Sequence, residues 1–216
     1  YRKMKHLIIV GARGWGREVY ASAIGTNAYI SGEYDVKGFL DSKEDALSDL
    51  NGTFPPIISS PENYVVQEND VFFIAMGDPK WRKHYVELMK SKGAQFISII
   101  CNGAYINPTA IIGEGTFIAG WTCISDNVKV GDFVMIHPYC DIGHDAQIGD
   151  FTSLEAYVFM GGMAKVGEGS TLHFKSSILR HKSVGNDVEV GAGSVVMRNI
   201  KDGLHVHGNP AVKIEY

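Results

Sequence analysis

From Ile106 onward every sixth residue is aliphatic or Met: Ile106, Ile112, Ile118, Ile124, Val130, Ile136, Ile142, Ile148, Leu154, Met160, Val166, Leu172, Ile178, Val184, Val190 and Val196. The residue two before each is small or β-branched, with Lys182 the single exception. The residue after each is Gly in eight of the sixteen cases. A period of six fits neither a 3.6-residue helix nor a plain alternating strand. It fits a short strand, a turn and a repeat. Side chains alternate faces along a strand, so the aliphatic and the small residue two before it share one side. The Gly is expected to relax the backbone at a corner, and Lys182 to mark a local bulge or loop.

This is the hexapeptide pattern of a parallel β-helix. In left-handed members of that class three hexads close one triangular coil, so equivalent positions recur every 18 residues. Sixteen hexads then give about five coils, a prism about 25 Å tall at the spacing of stacked strands.

The first hundred residues lack the period and read β–loop–α–β–β–α–β. His6–Val10 is an apolar strand, followed by the loop Gly11–Gly16 and a helix over Arg17–Ile24. Val36–Leu40 and Val71–Met76 are further strands. Pro79 suits a first helical turn, and Lys80–Lys92 carries helical spacing through Trp81, Tyr85, Leu88 and Met89. Gln95–Ile100 is a last strand. Alternating strands and helices predict a small Rossmann-like parallel α/β domain. The expected organisation is an α/β domain over 1–102, a left-handed β-helix over 103–200 and a tail over 201–216.

Composition narrows the function. Gly is 25 of 216 residues, but Pro is only 7 and hydrophobic residues reach 45%, so neither a collagen nor a disordered chain is expected. Charge is near balance, 20 Lys+Arg against 24 Asp+Glu, without a basic cluster, which argues against nucleic acid. No apolar run approaches membrane-spanning length, and no leader-like segment is evident, so neither a membrane nor a secreted protein is expected. Cys101, Cys123 and Cys140 lack CxxC spacing and read as buried thiols of a cytoplasmic protein.

Several residues carry chemistry. Gly11, Gly14 and Gly16 follow a strand and open a helix, where free N–H groups and a partial positive charge favour phosphate. Their G-x-x-G-x-G spacing differs from the dinucleotide fingerprint, so NAD is not favoured; a tight βα turn without ligand is the other reading. Asp41 and Gly77 end strands, where open α/β sheets bind ligands. Asp41 reads equally as a turn or cap aspartate, and Asp78 as a helix N-cap. His144 follows the inward Ile142, beside Asp145, and the position one coil on is Gly162. A Gly stacked over a His clears space and exposes an N–H. Cys140 occupies an inward small position and reads as core. Trp121 and Met163 read as interface or core. His137, Glu155 and His173 form an 18-residue column that reads as a polar ladder or an altered acceptor site, with a metal the least favoured option.

The whole layout resembles the sugar acetyltransferases of the sialic acid O-acetyltransferase and bacillosamine N-acetyltransferase type. The residues that carry the resemblance are VGARGWGREV (10–19), GFLD (38–41), AMGDPKWR (75–82), INPTAIIGEG (106–115), DIGHDAQIGDF (141–151) and GNPA (208–211). The resemblance implies a homotrimeric acetyl-CoA-dependent N-acetyltransferase acting on a nucleotide-linked 4-amino-deoxysugar, a precursor of surface glycans, with CoA along the groove between two prisms. It implies that Gly11, Arg13, Gly14, Gly16, Asp41 and Gly77 hold the nucleotide sugar. It makes His144 the general base, with Asp145 orienting it, and Gly162 the N–H donor to the acetyl carbonyl. Ser153 stands where such proteins usually carry a second His; Ser153 and Arg180 are the remaining acetyl-CoA candidates. O-acetylation of a sialic acid-type sugar, or a non-catalytic sugar-nucleotide-binding protein, are the alternatives.

Overall fold

The computed structural model describes residues 3–50 and 52–214. The chain divides into two compact units, 1–99 and 100–216.

The first unit is built on a four-stranded parallel sheet. Its elements are β1 (Lys5–Val10), α1 (Gly14–Ile24), α2 (Asn27–Ile30), β2 (Tyr34–Leu40), β3 (Ile57–Ser59), β4 (Asp70–Ile74) and α3 (Pro79–Ser91), with strand order β3-β2-β1-β4. Leu7, Ile8, Ile9 and Val10 are fully buried, as expected where a parallel sheet is covered on both faces. Val10 pairs with Leu40 on one side and Ile74 on the other. The three strands therefore end level, and the loops after them converge on one edge.

Four features depart from the sequence expectation. Helix α1 begins at Gly14, because a Cβ on Gly16 would overlap the Gly11 carbonyl and its absence lets the helix start directly against the end of β1. The short elements α2 and β3 carry too few residues for a periodic signal, although Thr26 caps α2 by accepting from Tyr29 N–H. Asp78 caps α3 and Pro79 opens it as expected, but the buried stripe is Arg82, Val86 and Met89, and Trp81 faces outward. The stretch from Gln95 is not one strand. Phe96 makes an isolated bridge to Phe72, and only Ile99–Ile100 is extended into a ladder.

The second unit is a left-handed parallel β-helix. Two-residue strands stack 18 residues apart, as in Ile111, Lys129 and Gln147, and form three sheets. Every periodic aliphatic from Ile118 to Val196 is buried. Buried Thr116, Thr152 and Ser170 donate to the carbonyls of Gly131, Gly167 and Gly185, which removes the cost of an unpaired hydroxyl in the core. His205–His207 extends one of the sheets in parallel, and Val212–Lys213 closes it antiparallel.

The glycine expectation needs correction. None of the eight repeat glycines has positive φ. The left-handed position lies two residues later, filled by a side chain in five of the eight cases, Phe133, Asp145, Phe151, Met163 and Asp187, and by Gly115, Gly169 and Gly193 in the other three. The glycines are required by close approach instead. A Cβ on Gly149 would sit 2.5 Å from Glu168 N, and one on Gly161 2.5 Å from Arg180 N. Coil stacking leaves no room there for any side chain. Lys182 makes no bulge, since Ser183–Val184 pairs in register with Lys165–Val166. Trp121 and Met163 are not core: they are 69% and 42% exposed. Trp121 opens a stack with Tyr139 and Tyr157 along one corner. Only Cys140 of the three thiols is buried; Cys101 and Cys123 are half-buried.

Candidate active site

The converging loops of the first unit enclose a cleft of about 490 Å³ lined by, among others, Gly11, Arg13, Gly16, Asp41 and Gly77. Five of the six residues expected to hold a nucleotide sugar thus share one cavity. Trp15, Trp81 and Tyr85 add an aromatic wall that the sequence reading missed.

The residues play unequal parts. Asp41 is buried, and both its oxygens accept from backbone, Oδ2 from Ala12 N–H at 2.9 Å and Oδ1 from Lys43 N–H at 2.9 Å. It ties the Gly loop to the end of β2. Gly11 has φ +102, and a Cβ there would meet the Ala75 carbonyl at 3.0 Å, so packing explains Gly11 and Gly16. Packing does not explain Gly14 or Gly77. A Cβ on Gly14 would meet only the Arg17 guanidinium at 4.0 Å, and one on Gly77 nothing within 4 Å. Arg13, the N-cap of α1, makes no side-chain cap, and the first turn holds no acidic residue. The positive end of α1 is left to attract an anion.

Arg82 underlies the cleft. It is fully buried, and its Nη1 donates to the carbonyls of Met76 at 2.8 Å and Gly77 at 3.2 Å. Burial pulls its pKa down to about 9, with nearby Asp78 opposing the shift. This guanidinium clamps the strand-to-helix turn that presents Gly77.

In the second unit His144 and Asp145 occupy a corner of the β-helix. Asp145 Oδ2 lies 2.8 Å from His144 Nδ1. The hydrogen bond to His144, and then one from Asn127, holds the Asp145 carboxyl below its ordinary value. With Nδ1–H directed at Asp145, the lone pair of Nε2 is the free base. Gly162 sits over the ring: a Cβ there would stand 2.5 Å from His144 Nε2. Gly162 therefore has no alternative that leaves the imidazole where it is.

A neighbouring corner shows why the Gly162 N–H matters. There the residue after a repeat glycine donates its N–H to a side chain one coil on at several levels: Glu114 to Asp132, Asp132 to Asp150 and Glu168 to Asn186, at 2.8–2.9 Å. At the His144 corner the matching residue over Gly162 is Arg180, exposed and without an acceptor atom. Among the described residues the Gly162 N–H meets no protein acceptor, while its carbonyl accepts from His181 N–H.

The remaining candidates fall elsewhere. Ser153 is 6% exposed, in a strand between Met135 and Thr171. Glu155 accepts from His173 Nδ1 at 3.1 Å and from Phe174 N–H at 2.9 Å, and the ladder runs on through Glu189 to His205. Among the described residues no group of His, Cys, Asp or Glu is arranged to hold a metal ion, and no helix is long and apolar enough to cross a membrane. Burial pushes the Cys140 thiol up to about 12, which suits core and not a nucleophile.

Comparison with known proteins agrees with this architecture. Residues 6–89 match the PglD N-terminal domain, and residues 127–162 match the bacterial transferase hexapeptide (six repeats). No curated protein sequence matches the chain. The acetyltransferase domain of PglB from Neisseria gonorrhoeae is 25% identical with a TM-score of 0.86, covering 97% of this chain and 100% of that one. PerB from Caulobacter crescentus, solved in complex with CoA and GDP-perosamine, is 22% identical at a TM-score of 0.84, covering 99% of both chains. WeeI from Acinetobacter baumannii is 23% identical at 0.84, covering 98% and 100%. Fold and matches together define the architecture: a hexapeptide-repeat β-helix behind a PglD-like N-terminal domain, the layout of the acetyltransferases it resembles.

Proposed function

We propose that the protein transfers acetyl from acetyl-CoA to the amino group of a nucleotide-linked 4-amino-deoxysugar, as a homotrimer in the cytoplasm. The observation that carries this is the His144 imidazole, oriented through Nδ1 by Asp145 and lying beneath Gly162. The acceptor amine must attack as the free base. As its nitrogen bonds to the thioester carbonyl carbon, His144 Nε2 takes the amine proton. The carbonyl oxygen becomes an oxyanion, which the Gly162 N–H stabilises. Collapse of the tetrahedral species expels the CoA thiolate, and the imidazolium supplies the proton that makes it a thiol. Asp145 supports the transient imidazolium.

The nucleotide diphosphate belongs in the first unit's cleft, at the uncapped start of α1 beside Arg13, with Gly14 and Gly77 kept small for its approach. The exposed Arg180 guanidinium suits a CoA phosphate. The donor assignment rests on Arg180 and Gly162 and not on Ser153, whose side chain is buried. The PglB domain has been solved with acetyl-CoA and PerB with CoA and GDP-perosamine, which supports both substrate classes.

The test is a panel of UDP-, dTDP- and GDP-linked amino sugars, with a sialic acid as hydroxyl acceptor, assayed for acetyl-CoA-dependent product. Acetylation of an amino sugar is expected. Turnover of the hydroxyl acceptor alone would refute N-transfer, and binding without turnover of any acceptor would refute catalysis.

A further inference from the structure

The His144–Asp145 pair sits on an exposed corner, where an isolated ion pair is worth little and a carboxylate is free to rotate. Here it is not free. Asp145 Oδ1 accepts from Asn127 Nδ2 at 2.7 Å. That contact fixes the amide orientation, because only the NH2 end of an Asn can donate to a carboxylate. Asn127 is held in turn: its own N–H donates to Thr109 Oγ1 at 2.8 Å, and Thr109 Oγ1 lies 2.6 Å from Asp126 Oδ1. Asn127 also adopts the left-handed conformation, φ 54, at this corner, which Asn tolerates well. A continuous chain of hydrogen bonds thus climbs three coils, from Thr109 through Asn127 and Asp145 to His144.

We infer that Asn127 is a positioning residue for the acetyl transfer, an inference that rests on the reading of His144 as the base. By occupying Oδ1 it fixes the plane of the Asp145 carboxylate, so that Oδ2 alone is presented to His144 Nδ1. The imidazole is thereby held in the tautomer whose Nε2 is free under Gly162. The choice of a neutral amide is informative. A Lys or Arg at this place would compete with the imidazolium for the Asp145 charge, and an Asp would add to it. At this corner Asp145 lies beside the imidazole, and the 18-residue register places Asp126 in the preceding coil and Arg180 in the coil beyond Gly162. Asn127 orders the first of these without changing the balance.

The test uses the full-length protein carrying Asn127→Ala and Asn127→Asp. Asn127→Ala is expected to lower kcat about tenfold with both KM values unchanged. In 15N-histidine spectra it is expected to shift His144 away from the Nδ1–H tautomer. Asn127→Asp adds a negative charge near the imidazolium and is expected to move the acid limb of the kcat–pH profile upward. Should Asn127→Ala not fold, Thr109→Val loosens the same chain from one link further back, with a smaller effect in the same direction. Unchanged kcat together with an unchanged His144 tautomer would overturn the inference. The underlying reading fails separately: if His144→Ala stays active, His144 is not the base, and the tautomer measurement still decides whether Asn127 sets its state.

Discussion

Two corners of the same β-helix share a backbone and differ in chemistry. At the Asp132 corner, side chains one coil on accept the N–H groups that the turns leave open. At the His144 corner, the backbones approach as closely, with Gly161 against Arg180 as Gly167 is against Asn186, yet position 180 offers no acceptor. One corner is closed by its own side chains and the other holds an N–H and a base open. A repetitive scaffold acquires a site by withholding at one place a bond that it makes at another.

That contrast can be broken or sharpened by substitution. The largest effect is expected from His144→Ala, a loss of about 10²–10⁴ in kcat with the fold retained, measured by acetyl transfer at saturating substrates and by circular dichroism. A residual rate above about a tenth of wild type would remove the base assignment, since general-base loss is far larger. Next is Gly162→Ala, whose added methyl would press on His144 Nε2. A loss of about 10²–10³ in kcat is expected, and an unchanged kcat would show that the ring and the N–H above it are not coupled.

Arg180→Asn transplants the closed corner onto the open one. Its side-chain oxygen is placed to accept from the Gly162 N–H, as Asn186 accepts from Glu168, and a kcat loss of about tenfold is expected from sequestering an oxyanion donor. Arg180→Ala is the control: it removes the same charge without supplying an acceptor. Equal kcat in the two variants would deny the capping argument. The smallest effect belongs to Asp132→Ala, which opens the closed corner. It is expected to cost about 1 kcal/mol of stability, as loss of a capping side chain does, seen as a lower Tm with kcat unaffected.

The β-helix was legible because its rule is local. A buried aliphatic every six residues can satisfy only one stacking pattern, and the structure buries every one from Ile118 to Val196. The short elements α2 and β3 were not legible, since four and three residues give no period. Gly162 could be placed over His144 by counting 18 residues. The meaning of the repeat glycines could not be counted: their φ values are ordinary, and only the distance to the next coil shows why a Cβ is excluded. The spacing of Trp81, Tyr85, Leu88 and Met89 marked α3 as a helix but left its rotation about its axis undetermined, and the structure buries Arg82, Val86 and Met89.

The sequence by itself determined the period, the strand-ending loops and the pairing of His144 with Asp145 and Gly162. Each depends on neighbours along the chain or on a fixed repeat. Only the tertiary structure decided which backbone groups are already spent. Asp41 is taken up by Ala12 and Lys43, Asn127 by Asp145 and Thr109, while the Gly162 N–H meets no protein acceptor among the described residues. Backbone hydrogen bonding between coils is set by distances of 2.7–3.1 Å, and residue order alone does not fix those distances.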